Sequence, residues 1–387
     1  MRIEKVANRQ LIFIVFIMLT TIDIATLPVL TSADALQDVW ASVLLVLAGA
    51  VILVLPITEL GARFPRETIV EISQKLLGKA AGGVVSLIIL WSFLHLVSIE
   101  TRIYVEMIID SFLSETPIVY LTSVLVLAAA AAAYAGIEVI GRVADFIFPF
   151  FTFVLLASFA SLVKEADFTN LQPVLARGAG PVLRGSITSI GSSAHLLTVG
   201  MLIPNLIRPR RGTASVMAGV TASVLILLLT AVFTVGVLGP EAGTRFVFPF
   251  FKAIRGIALG EFLERTEILI IFAWGLGIFI ALSVFIYCGA QGAAQLFRLD
   301  NYRHLLLPMG VFWVVITIQN FENAFQIRSF FTYEIFGPYL FFLLLFPYGS
   351  LWAAYFFRKA LGILPPPRQS EGKEAGRRKQ GKKEGKK

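Results

Sequence analysis

The residues most able to do chemistry stand where chemistry is least expected. Thr20-Thr21-Ile22-Asp23-Ile24-Ala25-Thr26-Leu27-Pro28 follows directly on the apolar run Leu11 to Leu19. It puts three threonines, a carboxylate and a proline inside a stretch with the composition of a membrane helix. A carboxylate at bilayer depth costs about 3 kcal/mol and normally faces a cavity or a partner. Two readings are open. In one the helix opens ahead of Pro28, its freed backbone groups satisfied by the small polar residues, as in the substrate sites of many secondary transporters. In the other the helix is straight and Asp23 lies near an interface. The opened helix is the working expectation.

A second set of polar residues lies in the third apolar segment: Trp91, His95, Ser98, Glu100, Arg102, Glu106 and Asp110. Glu100 and Arg102 point about 200° apart on one helix and do not pair. Glu106 is four residues beyond Arg102 and shares its face. Glu100 therefore needs a partner elsewhere. One reading has Glu100, Arg102 and Glu106 bracing helix packing; the other has His95 and Glu100 lining a cavity or a proton or water path. The third concentration is Gly185-Ser186-Ile187-Thr188-Ser189-Ile190-Gly191-Ser192-Ser193-Ala194-His195, followed by Gly200 and Pro204. It is rich in glycine and serine for a membrane span. His195 there is either a satisfied packing residue or an imidazole that donates and accepts at a helix break. Three histidines, widely spaced, support no metal site.

The elements that must position these groups follow from composition. The chain is 57% hydrophobic and 15% charged, with mean hydropathy +0.81. Soluble domains are less apolar and nearer a quarter charged, so this is a polytopic membrane protein. At about 20 residues per span, ten helices are expected, at roughly 11–30, 38–60, 82–109, 117–138, 143–163, 185–206, 213–238, 266–288, 304–320 and 334–357. The first segment lacks a small-residue cleavage site and reads as a retained helix. Cys288 is the one cysteine, which excludes an internal disulfide and a cysteine metal cluster. No Walker motif, dinucleotide-binding glycine turn or nucleophile elbow is present, and the chain reads as no enzyme.

Most of the 33 Lys and Arg residues fall on the side of the N-terminus, which makes both termini cytoplasmic. The net charge of +8 thus describes topology and contact with the lipid bilayer, and points to no nucleic acid. The loop from Phe64 to Lys79 reads as a short amphipathic helix or a solvated connector. The outer loop 239–265 suggests an interfacial helix in Phe246-Val247-Phe248-Pro249-Phe250-Phe251 followed by Lys252 and Arg255. Domain bounds are 1–358 for the membrane unit and 359–387 for a disordered basic tail, which touches anionic lipid or serves solubility alone. Interrupted first and sixth segments, five helices apart, are the sequence mark of an inverted-repeat transporter.

With the spans placed, the chain resembles the spore germination permease family, the B subunits of nutrient germinant receptors, within the amino acid–polyamine–organocation superfamily. The resemblance is carried by Thr26-Leu27-Pro28, Phe64-Pro65 before Leu77-Gly78-Lys79, and Glu100-Thr101-Arg102. It continues through Thr116-Pro117, Gly136-Ile137-Glu138 with Arg142, and Leu171-Gln172-Pro173-Val174-Leu175. The last matches are Leu202-Ile203-Pro204, Phe248-Pro249 and Leu263-Glu264-Arg265-Thr266-Glu267. Each is short; their order and spacing make the match.

The resemblance implies an all-α, ten-helix LeuT-type fold of two inverted five-helix repeats, with interrupted helices one and six. Its ligand would be a small nutrient, an amino acid or similar, bound at mid-membrane without a cofactor. The lining would be Thr21, Asp23, Ala25 and Thr26 in the first helix, His95 and Leu96 in the third, His195 and Thr198 in the sixth, Ala281 in the eighth and Leu340 in the tenth. Glu100, Arg102 and Glu106 would be structural or coupling groups. The implied partners are germinant receptor A and C subunits, in the spore inner membrane. An alternative is a secondary amino acid or amine transporter coupled to a proton or cation. The family commonly has glycines where Thr21 and Asp23 stand, and a Gly and a Glu where Leu196 and Thr198 stand. Asp23 would repel a ligand carboxylate and suit an ammonium.

Overall fold

A computed structural model of the chain describes residues 4–241, 245–246, 248–256, 267–332 and 334–364. The first helices are α1 (Asn8–Ala35), α2 (Val39–Arg63), α3 (Ile69–Ser111), α4 (Ile118–Ala135) and α5 (Ile137–Leu162). The sixth crossing is α6 (Ala179–Gly191), a 3₁₀ stretch (Ser192–Leu196) and α7 (Leu197–Leu202). Then come α8 (Gly212–Leu238), α9 (Pro249–Arg255), α10 (Glu267–Phe297), α11 (Arg303–Asn320), α12 (Ala324–Phe330) and α13 (Phe336–Ala360).

Among the described residues, nine segments are long and apolar enough to cross a membrane. The tenth expected span, 304–320, forms as α11, but its 18 residues include Arg303, His304, Gln319 and Asn320 at the ends, and these dilute the apolar run. The α1 stretch Asn8–Ala25 and the broken sixth crossing are 78% and 88% buried, against 22% for α4. The two stretches that carry the unusual polar residues are thus the innermost. Around them, α1 packs on α8, α6, α10 and α5, while α3 packs on α10, α11 and α13.

Three local features bear on the sequence expectation. First, α1 is helical from Asn8 to Ala35, so the opening expected ahead of Pro28 is absent from its hydrogen-bonding pattern. Thr20 Oγ1 donates across to Ser223 Oγ at 3.0 Å, and Trp274 Nε1 donates to the Thr21 carbonyl at 2.7 Å. These groups tie α1 to α8 and α10; they do not substitute for its own backbone bonds. Second, the apolar face of α9 is turned to protein. Pro249, Phe250, Phe251, Ala253 and Ile254 are buried against α1, α5, α8 and α10, so its apolar face is satisfied by protein. Third, the short helix expected in the loop after Phe64 forms as the first limb of α3, set off from the rest by the non-helical Gly78. Thr68 and Glu71 form a reciprocal capping box at its start, satisfying two orphan N–H groups. At Gly78, with φ +82°, the chain turns through a backbone region that side chains disfavour, and the helix resumes.

The faces are consistent with an even number of crossings. On the N-terminal face, Val6 bridges Leu206, Arg9 pairs with Asp145 at 3.2 Å, and Glu4 meets Arg303 at 3.4 Å. Arg358 Nε, near the end of α13, donates to the Leu76 carbonyl at 2.7 Å, in the first limb of α3. The expected tail 359–387 lies outside the described residues beyond 364.

Candidate functional site

The break in the sixth crossing is written in its hydroxyls. Ser186 Oγ donates to the Leu183 carbonyl at 2.8 Å, and Thr198 Oγ1 donates to the His195 carbonyl at 2.8 Å. Side chains that bond the carbonyl three residues back compete with the α-helical ladder and favour 3₁₀ geometry. Gly191 permits a close approach: a Cβ there would lie 3.2 Å from the Gly337 carbonyl of α13.

At this break the chain gathers Asp23 of α1, Ser192 and His195 of the 3₁₀ stretch, and Glu100 of α3. Ser192 Oγ is 3.0 Å from Asp23 Oδ2 and 2.6 Å from the Ser189 carbonyl. It has one hydrogen and can serve only one of them at a time. His195 Nε2 is 2.8 Å from Glu100 Oε1, and its Nδ1 contacts the Ser192 carbonyl. A carbonyl only accepts, so Nδ1 carries a hydrogen. The Glu100–His195 contact then holds a single proton, on one partner or the other. Asp23, Glu100 and His195 are 3%, 1% and 1% exposed, which is far below what ionisable side chains accept without partners. Asp23 Oδ1, Glu100 Oε2 and Ser189 Oγ are buried and make no hydrogen bond. Such orphaned atoms in one neighbourhood mark a place able to receive a donor, whether an ammonium, a hydroxyl or water.

The other expected site residues divide. Thr21 is buried, but a Cβ on Gly277 of α10 would sit 2.3 Å from its Oγ1. It therefore faces α10, on the side of α1 away from Asp23. Ala25 is one turn further along that face and fully buried. The side chain of Thr26 lies outside the described residues. Leu96, Ala281 and Leu340 are buried, and Leu340 packs near Gly191. Thr198 is buried with its hydroxyl bonded to backbone.

His95 is separate from Glu100. Tyr339 Oη shares a hydrogen bond with its Nδ1 at 2.7 Å and accepts from Trp91 Nε1 at 3.0 Å. The imidazole stacks on Trp91 with centroids 5.4 Å apart. Five residues apart on a helix, His95 and Glu100 point in different directions, and the imidazole that meets Glu100 is His195. Arg102 pairs with Glu106 at 2.9 Å and reaches the Ile318 carbonyl at 3.4 Å, beside Asn320 Nδ2, which donates to Ser98 Oγ at 2.8 Å. Together they cover the C-terminal carbonyl end of α11, which attracts cations.

Residues that sequence reasoning passed over include Ser189 and Ser192 as direct partners and Phe285 of α10, whose ring lies 5.5 Å from that of His195. The i−3 spacing of Ser189, Ser192 and His195 was the available signal. Among the described residues no group of His, Cys, Asp and Glu could hold a metal ion.

With this geometry in view, comparison with known proteins is informative. The family model described as "Spore germination protein" (Spore_permease) matches residues 5–325. Spore germination protein YndE of Bacillus subtilis (strain 168) is 26% identical over 323 residues, covering 83% of this chain and 89% of that protein. Spore germination protein KB of the same organism is 26% identical over 319 residues, covering 81% and 84%. Among solved structures, Mhp1, a nucleobase-cation-symport-1 family transporter, aligns with TM-score 0.63 at 15% identity over 92% of this chain and 79% of that one. MhsT in complex with L-phenylalanine aligns with TM-score 0.60 at 16% identity over 86% and 88%. The fold is therefore the all-helical LeuT-type transporter fold. Family and fold neighbours are permease- or transporter-like, and the chain is an integral membrane protein.

Proposed function

The chain belongs to the spore germination protein family, and from that premise we propose that it is a germinant receptor subunit of the spore inner membrane. It binds a small nutrient at mid-membrane, where α1 and α3 meet the broken sixth crossing, and passes a conformational change to A and C partner subunits. Both termini are cytoplasmic. The observation that carries this reading is the buried carboxylate of Asp23 on Ser192, with its second oxygen unmatched, beside the Glu100–His195 pair. Asp23 and Ser189 are the groups that receive the ligand, Phe285 and Leu340 are apolar walls, and Glu100–His195 sets the charge of the pocket. A buried carboxylate oxygen without a partner selects a hydrogen-bond donor, so the favoured nutrient carries an amine or several hydroxyls.

Asp23→Asn in a sporulating host should alter germinant choice with protein level unchanged. A response identical to wild type across a germinant panel would remove Asp23 from the site. A second reading is a transporter coupled to a proton or cation, favoured by the single proton held between Glu100 and His195. Uptake of radiolabelled nutrient by proteoliposomes, driven by a pH gradient and abolished in Glu100→Gln, would select the transporter over the receptor.

A further inference from the structure

Far from that site, the surface between α4 and α11 holds a groove of about 610 Å³. Its walls are aliphatic, with Leu127 and Leu307 more than half exposed at the rim and Val126 fully buried at the floor. Gly310 is also buried, yet a Cβ added there would meet nothing within 4 Å. The alanine run of α4, Ala128 to Ala133, together with Gly310, leaves two adjacent helices without side chains long enough to fill the space between them.

One end of the groove is charged. Arg303 lines it and is held in place. Its Nε donates to the Tyr134 carbonyl at 2.8 Å, and its guanidinium lies 5.5 Å from the Tyr134 ring centroid. Its Nη2 meets Glu4 Oε1 at a long 3.4 Å, while Glu4 Oε2 accepts the Ile137 N–H at 2.7 Å. Tyr302 is a further partner of the guanidinium, its ring centroid 5.4 Å away, and these contacts still leave some of the five N–H donors for a ligand. A fixed, half-buried guanidinium with donors to spare is an anion seat.

We propose that this groove is a binding site for one anionic phospholipid, its acyl chain between α4 and α11 and its phosphate on Arg303. Length supports this occupant. The lining runs from Ser123 to Tyr134 on α4 and from Arg303 to Val315 on α11, about 17 Å along each helix. That is close to half of a hydrocarbon core of about 30 Å, the depth of a single leaflet. The lining agrees: apart from Ser123, Tyr134 and Arg303 it is Val, Leu, Ala and Gly, which suits an acyl chain. Position agrees as well. Arg303 is on the face that carries the N-terminus, the one the arginine and lysine bias assigns to the cytoplasm, where anionic headgroups meet basic pockets.

The test uses the full chain, purified in detergent and exchanged into nanodiscs of phosphatidylglycerol and phosphatidylcholine, with retained lipid counted by native mass spectrometry. The wild type should retain phosphatidylglycerol over phosphatidylcholine about fivefold, the value of one arginine near a headgroup. Arg303→Gln should bring that ratio to about one with total retained lipid unchanged. Gly310→Leu, which fills the floor, should remove the retained lipid of both kinds; Val311→Phe at the exposed rim does the same if Gly310→Leu does not fold. Equal retention of the two lipids by wild type and Arg303→Gln would overturn the proposal. So would efficient disulfide cross-linking of Val311→Cys, at the exposed rim, between two copies, because the native Cys288 is buried and a dimer would then own the groove.

Discussion

Two ionic contacts sit within two turns of each other on α3 and differ in almost every physical respect. Arg102 and Glu106 are four residues apart, meet at 2.9 Å, and close on the end of α11 through the Ile318 carbonyl. Glu100 and His195 are 95 residues apart in sequence and meet only because the sixth crossing breaks beside them. The first contact is a brace: local, and tied to backbone. The second is open: it leaves Glu100 Oε2 unmatched, shares one proton, and adjoins Asp23 with an oxygen also unmatched. A membrane protein thus carries intramembrane charge in two ways, and the number of satisfied acceptors distinguishes them better than burial does.

The contrast can be broken most severely at the open pair. His195→Leu strands the Glu100 carboxyl in a dry site and should destabilise the detergent-purified protein by about 3–5 kcal/mol, read as a large fall in thermal midpoint. The double variant Glu100→Gln/His195→Leu should recover much of that loss. If the double variant is no better than the single, the two groups are not an energetic pair. Next in size, Arg102→Met removes the partner of a partly exposed Glu106 and a donor to α11, at a cost of about 2 kcal/mol. Arg102→Lys should restore part of this, since charge is kept and the forked geometry is lost. A loss equal to that of His195→Leu would erase the distinction between brace and open pair.

Smaller still is Thr68→Ala, which removes the N-cap of α3 and the hydroxyl's bond to Gln295 Oε1 at 2.6 Å, at a cost of about 1 kcal/mol. Asp23→Asn should change the thermal midpoint least, because an amide oxygen still accepts from Ser192. The same change should shift the germinant dose response tenfold or more, a difference of about 1.4 kcal/mol in ligand affinity. Spore germination assays across amine-bearing and neutral nutrients measure it. A stability loss without any germinant shift would make Asp23 a brace like Arg102.

Much of this was legible in the sequence. Hydropathy located the crossings, and the i, i+4 spacing put Arg102 and Glu106 on one face, since both are short-range consequences of helix geometry. The Ser- and Gly-rich run before His195 announced a break, and the break is there. Thr21 and Pro28 were less clear: the same residue types that open one helix tie another to its neighbours, as Thr20 does to Ser223. The partner that Glu100 needed could not be read from the sequence, because His195 is 95 residues away. His95 belongs with Tyr339, 244 residues away.

The sequence by itself determined that this chain lives in a membrane, where its helices run, and which carboxylates need a reason to be there. These follow from the cost of exposing peptide and charge to lipid, which each segment meets on its own. Only the tertiary structure decided which partner each buried group found. Asp23 with Ser192, Glu100 with His195, and Arg303 at the mouth of the α4–α11 groove all depend on how separate helices are rotated against one another. That rotation is set by packing summed over the whole bundle, which no local stretch encodes.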